Sequence, residues 1–404
     1  MGENGNKMKR ALDGIRVLDL SRMLPGPYGS MMLGDLGAEV IKIEDTGAGD
    51  PTRNAPIRIG KMSARFLQVN RNKKSIALDL KNPEGREIFL KLAQTADVIL
   101  DQFRPGVVAR LGIDYSVVSS LNPRIVYCSL TGYGQDGPHE QRGGHDLNYV
   151  ALAGVLGLTT DDRGKPVIPG VQIADLAGGM IAAFAILAAL FAREHTKRGQ
   201  FIDVSMFDVV LSMLAVPAAS QFAGSPIDAG GRYVLSGEFP FYNVYETGDG
   251  KYMSIGALEP KFWSNFCNAV GREDLIARQF DSGPDRERLF EEVRAIFKSR
   301  TQIEWIEFMK SVDACCEPVL SMAEAFAHAQ TRAREMILQM EQPGCGSVDE
   351  LGFAYKMSDT PPALKRPVPY LSEDAEELLT EIGFSEADRG RLFDAGIVRR
   401  PEPV

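Results

Sequence analysis

Short β-branched runs at 15–20 (IRVLDL), 39–44 (EVIKIE), 75–80 (SIALDL) and 97–103 (DVILDQF) alternate with turns and helical segments, and this rhythm most constrains the fold. The first run leads into the turn Leu24-Pro25-Gly26-Pro27-Tyr28 and a short helix that should end at Gly37, before the second run begins. Strand, helix and strand within about thirty residues make a βαβ unit, whose sheet is parallel and whose crossover is right-handed. The third run, the helical stretch 82–96 and the fourth run repeat the pattern, and 124–134 (RIVYCSLTGYG) supplies a further strand. The front half is therefore expected to be an open α/β sheet, in which ligands lie beyond the carboxyl ends of the strands. It is not an ordinary dinucleotide-binding domain, because the first turn, SRMLPGPYG, lacks the GxGxxG pattern that brings backbone against a pyrophosphate.

Beyond this sheet the chain changes character. Residues 221–237 are rich in Gly, Pro and Ser and read as a linker. A second α/β or α+β unit follows, with strands at 241–247 and 252–258 around the turn GDGK and then helices to about residue 333. The expected organisation is a large Rossmann-like domain over 1–220, the linker, a small domain over 238–335, and a segment over 336–404 that returns to the large domain.

Several function classes are excluded by composition. A formal net charge of −9 argues against nonspecific binding to nucleic acid or an anionic membrane. The five cysteines, Cys128, Cys267, Cys315, Cys316 and Cys345, contain no CxxC pair and fit a reduced cytoplasm. With only four histidines and no HxxxH cluster, no metal site is expected. The amino terminus, MGENGNKMKR, lacks the apolar core of an export signal, and Asn6 stands where a myristoylation motif wants Ser or Thr. The longest apolar run, 177–192, falls short of the ~20 residues that cross a bilayer and reads as a buried helix.

Three polar residues stand where loops give way to regular elements: His145 in GGHDLNY, Asp175 in QIADLAGGM and Glu259 in IGALEPKFW. Taken singly each has a plain structural reading. His145 reads as a loop or core histidine, Asp175 as the N-cap of an apolar helix, and Glu259 as a solvated turn residue before Pro260; Asp146 reads as the N-cap of the helix that follows it. An N-capped helix start also offers its amides to a developing anion. Only their joint occurrence points to chemistry: two groups of matched basicity on opposite faces of a carbon can move its proton from one side to the other.

With these residues in hand, the chain resembles the family III CoA-transferases, and within that superfamily the α-methylacyl-CoA racemases, from about Leu12 to Val398. The likeness rests on LDGIRVLDLSRMLPGPYGSMMLGDLGAEVIKIE, NRNKKSIALDL, QFRPGVVARLG, GGHDLNY, REHTKRGQFIDVSMFD, FPFYNVYETGDGKYMSIGALEPKFW and DACCEPVLSMAEA. The resemblance implies an interlocked homodimer with each active site between the large domain of one subunit and the small domain of the other. It implies an acyl-CoA ligand, with coenzyme A entering as part of the substrate and no separate cofactor. His145 and Asp175 would be the two bases of an α-proton transfer, and Glu259 would orient His145. Arg22, Met23, Leu24 and Pro25, the segment from Lys73 and Lys74 to Leu78, and Gln102, Phe103 and Arg104 would surround the CoA, with Lys42, Arg110 and Tyr133 nearby. One departure is Asp45, where relatives often carry an arginine to meet the adenosine end.

The same resemblance leaves a rival reaction open. In a CoA-transferase the aspartate matching Asp175 attacks the thioester as a nucleophile. His145 in the GHD context, Leu24 where formyl-transferring relatives have glutamine, and GALEP where they have a glycine-rich loop lean toward the racemase. A silent acyl-CoA-binding subunit is the third reading, and the presence of both His145 and Asp175 argues against it.

Overall fold

β-Branched alternation becomes parallel strands in the computed structural model, which describes residues 10–228 and 230–401. The reading of the amino terminus lies outside these residues for its first nine positions. Six strands, β1 (Arg16–Asp19), β2 (Glu39–Glu44), β3 (Lys73–Ala77), β4 (Val98–Asp101), β5 (Val126–Thr131) and β6 (Phe201–Ser205), form one sheet. Every pairing in it is parallel, and the spatial order is β3-β2-β1-β4-β5-β6. That is the order of a doubly wound sheet, which reverses direction between β1 and β4 and opens a crevice beyond their carboxyl ends. The sixth strand, FIDVS, lies outside the runs that the sequence marks as strands, although its alternating apolar residues carry the signal.

Both faces of the sheet are buried, as a parallel sheet requires. Val17, Val40, Val98 and Val126 enter one core, whereas their chain neighbours Leu18, Ile41, Ile99 and Tyr127 enter another. The first core is covered by helices α1 (Pro25–Asp35) and α4 (Ile173–Thr196), the second by α2 (Pro83–Thr95) and two helices near the carboxyl terminus, Ala375–Glu381 and Glu386–Asp394. Between α2 and α4 lies the short helix α3 (Asp146–Leu152).

At 24 residues α4 is longer than its apolar core suggested, and it is long and apolar enough to cross a membrane by length and composition. Half of its most apolar window is buried inside the protein instead. Its small residues allow backbone to approach backbone: a Cβ on Gly179 would lie 2.3 Å from the Pro25 carbonyl oxygen of α1. No other residue type fits that contact without moving a helix.

The chain divides into two compact units. The first contains the sheet and spans the described residues of Met1–Leu156, Ile168–Leu214 and Ala333–Val404. The second takes Gly157–Val167 and Ala215–Arg332, so residues 221–237 group with it rather than standing apart. It holds an antiparallel sheet of β7 (Tyr242–Glu246), β8 (Tyr252–Gly256) and β9 (Cys316–Pro318), with β8 in the middle. Helices Pro260–Ala269, Gly283–Lys298 and Gln302–Met309 close an aromatic core around Phe241, Trp263, Phe266, Phe297 and Trp305. Both buried indoles find a carbonyl, Trp263 on Leu275 and Trp305 on Phe297, so neither donor is stranded.

Candidate active site

Beyond the carboxyl ends of β1, β4 and β5 the first unit encloses a cavity of about 870 Å³. Arg22, Met23, Leu24 and Pro25 reach it from the loop after β1, and Gln102, Phe103, Arg104 and Pro105 from the loop after β4. Thr131 ends β5 and Gly132 follows it, and Gly143, Gly144, His145 and Tyr149 come from the approach to α3 and its first turn. Asp175 and Gln172 stand at the start of α4. The cavity thus lies where the strand order reverses.

Asp175 is half-buried on the cavity wall, and its carboxyl is pushed up to about 6. Burial is the main cause and the neighbouring Asp146 carboxylate the second, with His145 partly offsetting both. The offset means that the imidazole and the carboxyl feel one another electrostatically. A carboxyl near 6 can both hold and release a proton close to neutral pH, which suits it to general acid and base work. Tyr149 closes this end of the cavity: its hydroxyl donates to the Gly144 carbonyl at 2.8 Å, and its ring meets Tyr133 edge-on at 5.2 Å. A Cβ on Gly144 would stand 2.8 Å from that ring, so the glycine before His145 lets the loop lie flat on Tyr149.

Two capping expectations are corrected by this geometry. Asp146 does not cap its own helix: His145 holds the N-cap position, with its amide donating to Asn148 Oδ1 at 3.0 Å. The Asp146 carboxylate crosses instead to α4, where Oδ1 accepts from the amides of Ala174 at 2.6 Å and Asp175 at 3.1 Å. Asp175 is therefore inside the first turn of α4 rather than at its cap, which is Gln172. Those two amides are occupied and are not offered to a ligand.

Buried ion pairs beneath the cavity shape its β1 loop. Lys42 Nζ pairs with Asp50 at 3.0 Å and donates to the Ser21 carbonyl at 2.9 Å, while both Asp50 oxygens lie within 3.2 Å of the Met23 amide. The peptides on both sides of Arg22 are thereby held, although Met23 sits at φ 70°, a left-handed conformation that strains a side chain. Asp19 accepts from Lys73, Ser21 and Ser30; burial opposes its ionisation, but Lys73 and Lys42 outweigh that and hold its carboxyl at about 2.

A profile of CoA-transferase family III matches residues 12–375. The chain belongs to that family. An acyl-CoA transferase of Fusarium pseudograminearum is 36% identical over 413 residues, covering 98% of this chain and 90% of the relative. The human α-methylacyl-CoA racemase is 34% identical over 394 residues, covering 96% and 97% respectively. The crystal structure of a CAIB/BAIF family protein from Brucella suis superposes with a TM-score of 0.80 at 30% identity, covering 93% of this chain and all of that one.

The residues expected around CoA separate into two groups. Arg22, Met23, Leu24, Pro25, Gln102, Phe103 and Arg104 line the cavity, and the Arg22 guanidinium lies 5.8 Å from the Phe103 ring centre. Lys42 and Lys73 do not: both side chains are fully buried, and the Lys73 ammonium spends its three donors on Asp19, the Pro27 carbonyl and Asn70. They are corrected from ligand contacts to structural cations. Lys74 is held by Glu39 and Glu377, Leu78 is buried in the second core, and Arg110 is exposed outside the cavity wall. Tyr133 stands behind Tyr149 rather than on the wall. Asp45 closes its own turn by accepting from the Gly47 amide. Glu259 belongs to the second unit, where it is the exposed N-cap of helix Pro260–Ala269. Sequence reasoning missed Pro51, Thr52, Ile57, Ala64, Arg65, Gln68, Val69, Glu140 and Arg142, which also line the cavity. Their signal was weak, because Arg65 and Gln68 sit on or just after a four-residue helix with no motif around it.

Proposed function

We propose that this protein is an acyl-CoA enzyme that inverts the α-carbon of a 2-methylacyl-CoA thioester by 1,1-proton transfer. The observation that carries the reading is that His145 and Asp175 both line one cavity, with the Asp175 carboxyl raised to about 6. A thioester acidifies its α-hydrogen because the resulting carbanion delocalises onto the carbonyl as an enolate. One member of the pair in its basic form takes the proton, and the other in its acid form returns one to the opposite face; for the reverse direction the roles exchange. Arg22 and Arg104 supply positive charge to the cavity, and Met23, Leu24 and Phe103 an apolar wall. The carrier is coenzyme A, and no further cofactor takes part in these steps.

Self-association belongs to the same reading. Glu259 would reach His145 from a second subunit of an interlocked homodimer, orienting the imidazole through a hydrogen bond. The exposed face of α4, with Met180, Ile181, Phe184 and Phe191, is an apolar surface of the kind a second copy covers. The low cysteine content and acidic charge support a cytoplasmic setting without nucleic acid.

A second reading is CoA transfer between carboxylic acids, favoured by the 36% identity to an acyl-CoA transferase. There the Asp175 carboxylate attacks the thioester carbonyl and CoA thiolate leaves an acyl-aspartyl anhydride; the thiolate attacks the aspartyl carbonyl, the donor carboxylate departs, and an acceptor carboxylate takes CoA from the resulting aspartyl-CoA thioester by the same two steps in reverse, which frees Asp175. Incubating the purified protein with a 2-methylacyl-CoA in deuterium oxide, with and without succinate, separates the two. Deuterium at the α-carbon with loss of stereochemistry, without acceptor, is the expected result. Succinyl-CoA formation with no deuterium uptake would replace the first reading by the second.

A further inference from the structure

A second cavity in the first unit, about 340 Å³, is walled by Arg53, Arg58, Lys61, Ser63, Tyr370 and Arg399. No carboxylate is among the described residues lining it, in a chain whose acids outnumber its bases. Ser63 is only 1% exposed, and its hydroxyl has no hydrogen-bond partner among the described residues. A buried hydroxyl without a partner is unfavourable and calls for an acceptor or donor that arrives from outside.

The cations around that hydroxyl are placed by backbone. Arg58 and Ser63 are directly opposed on a short antiparallel ladder, so their side chains share one face. Arg58 donates only to the carbonyls of Arg53 and Lys61, and neither it nor Lys61 has a carboxylate partner among the described residues. Arg53 is different: its guanidinium is held by Glu44 and lies 3.8 Å from the Phe66 ring centre, so it acts as a rigid wall. Arg399 reaches the rim, donating to the carbonyls of Thr46 and Gly47. Donors from several directions suit a tetrahedral dianion better than a planar carboxylate, which one arginine grips in its own plane.

We infer that this cavity binds a phosphate group through Arg58, Lys61 and Ser63. The phosphate comes either from the nucleotide end of an acyl-CoA or from a separate phosphorylated molecule, and binding does not depend on the reaction proposed above.

The test is calorimetric titration of the full chain with inorganic phosphate and with adenosine 3′,5′-bisphosphate, for wild type, Ser63→Ala and Arg58→Ala. Saturable binding is expected, weakened roughly tenfold or more in each variant because each loses a hydrogen bond to a charged ligand. Without ligand, Ser63→Ala should melt no lower than wild type, since it removes an unpaired buried hydroxyl. Repeating the titration with saturating CoA identifies the source: persistence marks a separate ligand, and loss marks the nucleotide end of CoA. Absence of saturable binding to wild type, or equal binding by wild type and both variants, overturns the inference. A clearly lower melting temperature for ligand-free Ser63→Ala would do the same, by showing that the hydroxyl already has a partner.

Discussion

Replacing Asp175 with asparagine should stabilise the protein at neutral pH while abolishing its chemistry. The carboxyl is raised from 3.8 to about 6, first by burial and then by the Asp146 carboxylate. The folded state therefore binds this proton more tightly than the unfolded chain, so stability is highest at low pH and falls as pH rises from about 4 through 6. Holding the group ionised in the folded protein at pH 7.5 costs about 3 kcal/mol by this linkage, and about 0.5 kcal/mol at pH 4. Asp175 keeps some solvent contact, so the measured gain for Asp175→Asn should be about 1–3 kcal/mol at pH 7.5 and nearly absent at pH 4. Denaturant unfolding of both proteins at the two pH values reads this directly. An equal or lower stability of the variant at pH 7.5, or the same gain at both values, would refute the account of why Asp175 holds a proton close to neutral pH.

Other perturbations test neighbouring links. His145→Ala should lower α-proton exchange by roughly 100-fold or more, the contribution of one positioned acid or base, as read by deuterium uptake; unchanged exchange would sink the two-base reading. Asp146→Asn keeps an acceptor for the Ala174 and Asp175 amides but removes the charge beside Asp175, so the acid limb of the rate profile should move to lower pH. A limb that stays in place would mean that Asp146 does not tune Asp175. Asp50→Ala strands the fully buried Lys42 ammonium and releases the Met23 amide, and should cost about 3–5 kcal/mol in equilibrium unfolding; a loss near zero would show that the pair holds nothing.

The residues that defeated sequence reasoning show where local information ends. Lys42 lies inside EVIKIE, and a lysine in a strand buried on both faces has no route to solvent. Its burial was readable in principle from the parallel sheet, but its partner was not, because Asp50 reaches it only after the intervening loop has folded back. Asp146 looked like a local cap because helix-start chemistry is local, yet its acceptor oxygen serves amides 28 and 29 residues away. Arg65 and Gln68 carry no motif and become cavity residues only through the packing of their short helix.

The sequence by itself determined five of the six strands of the large sheet, the βαβ rhythm, the parallel α/β class and the family, because side-chain periodicity and turn chemistry act over a few residues and survive in any context. Tertiary structure alone decided which charges are spent inside the protein and which face a cavity. That choice depends on long-range neighbours, since burial makes an ammonium costly unless a carboxylate such as Asp19 or Asp50 meets it. Arg22 faces the cavity while Lys42 holds its loop from below, and only the folded sheet tells the two cations apart.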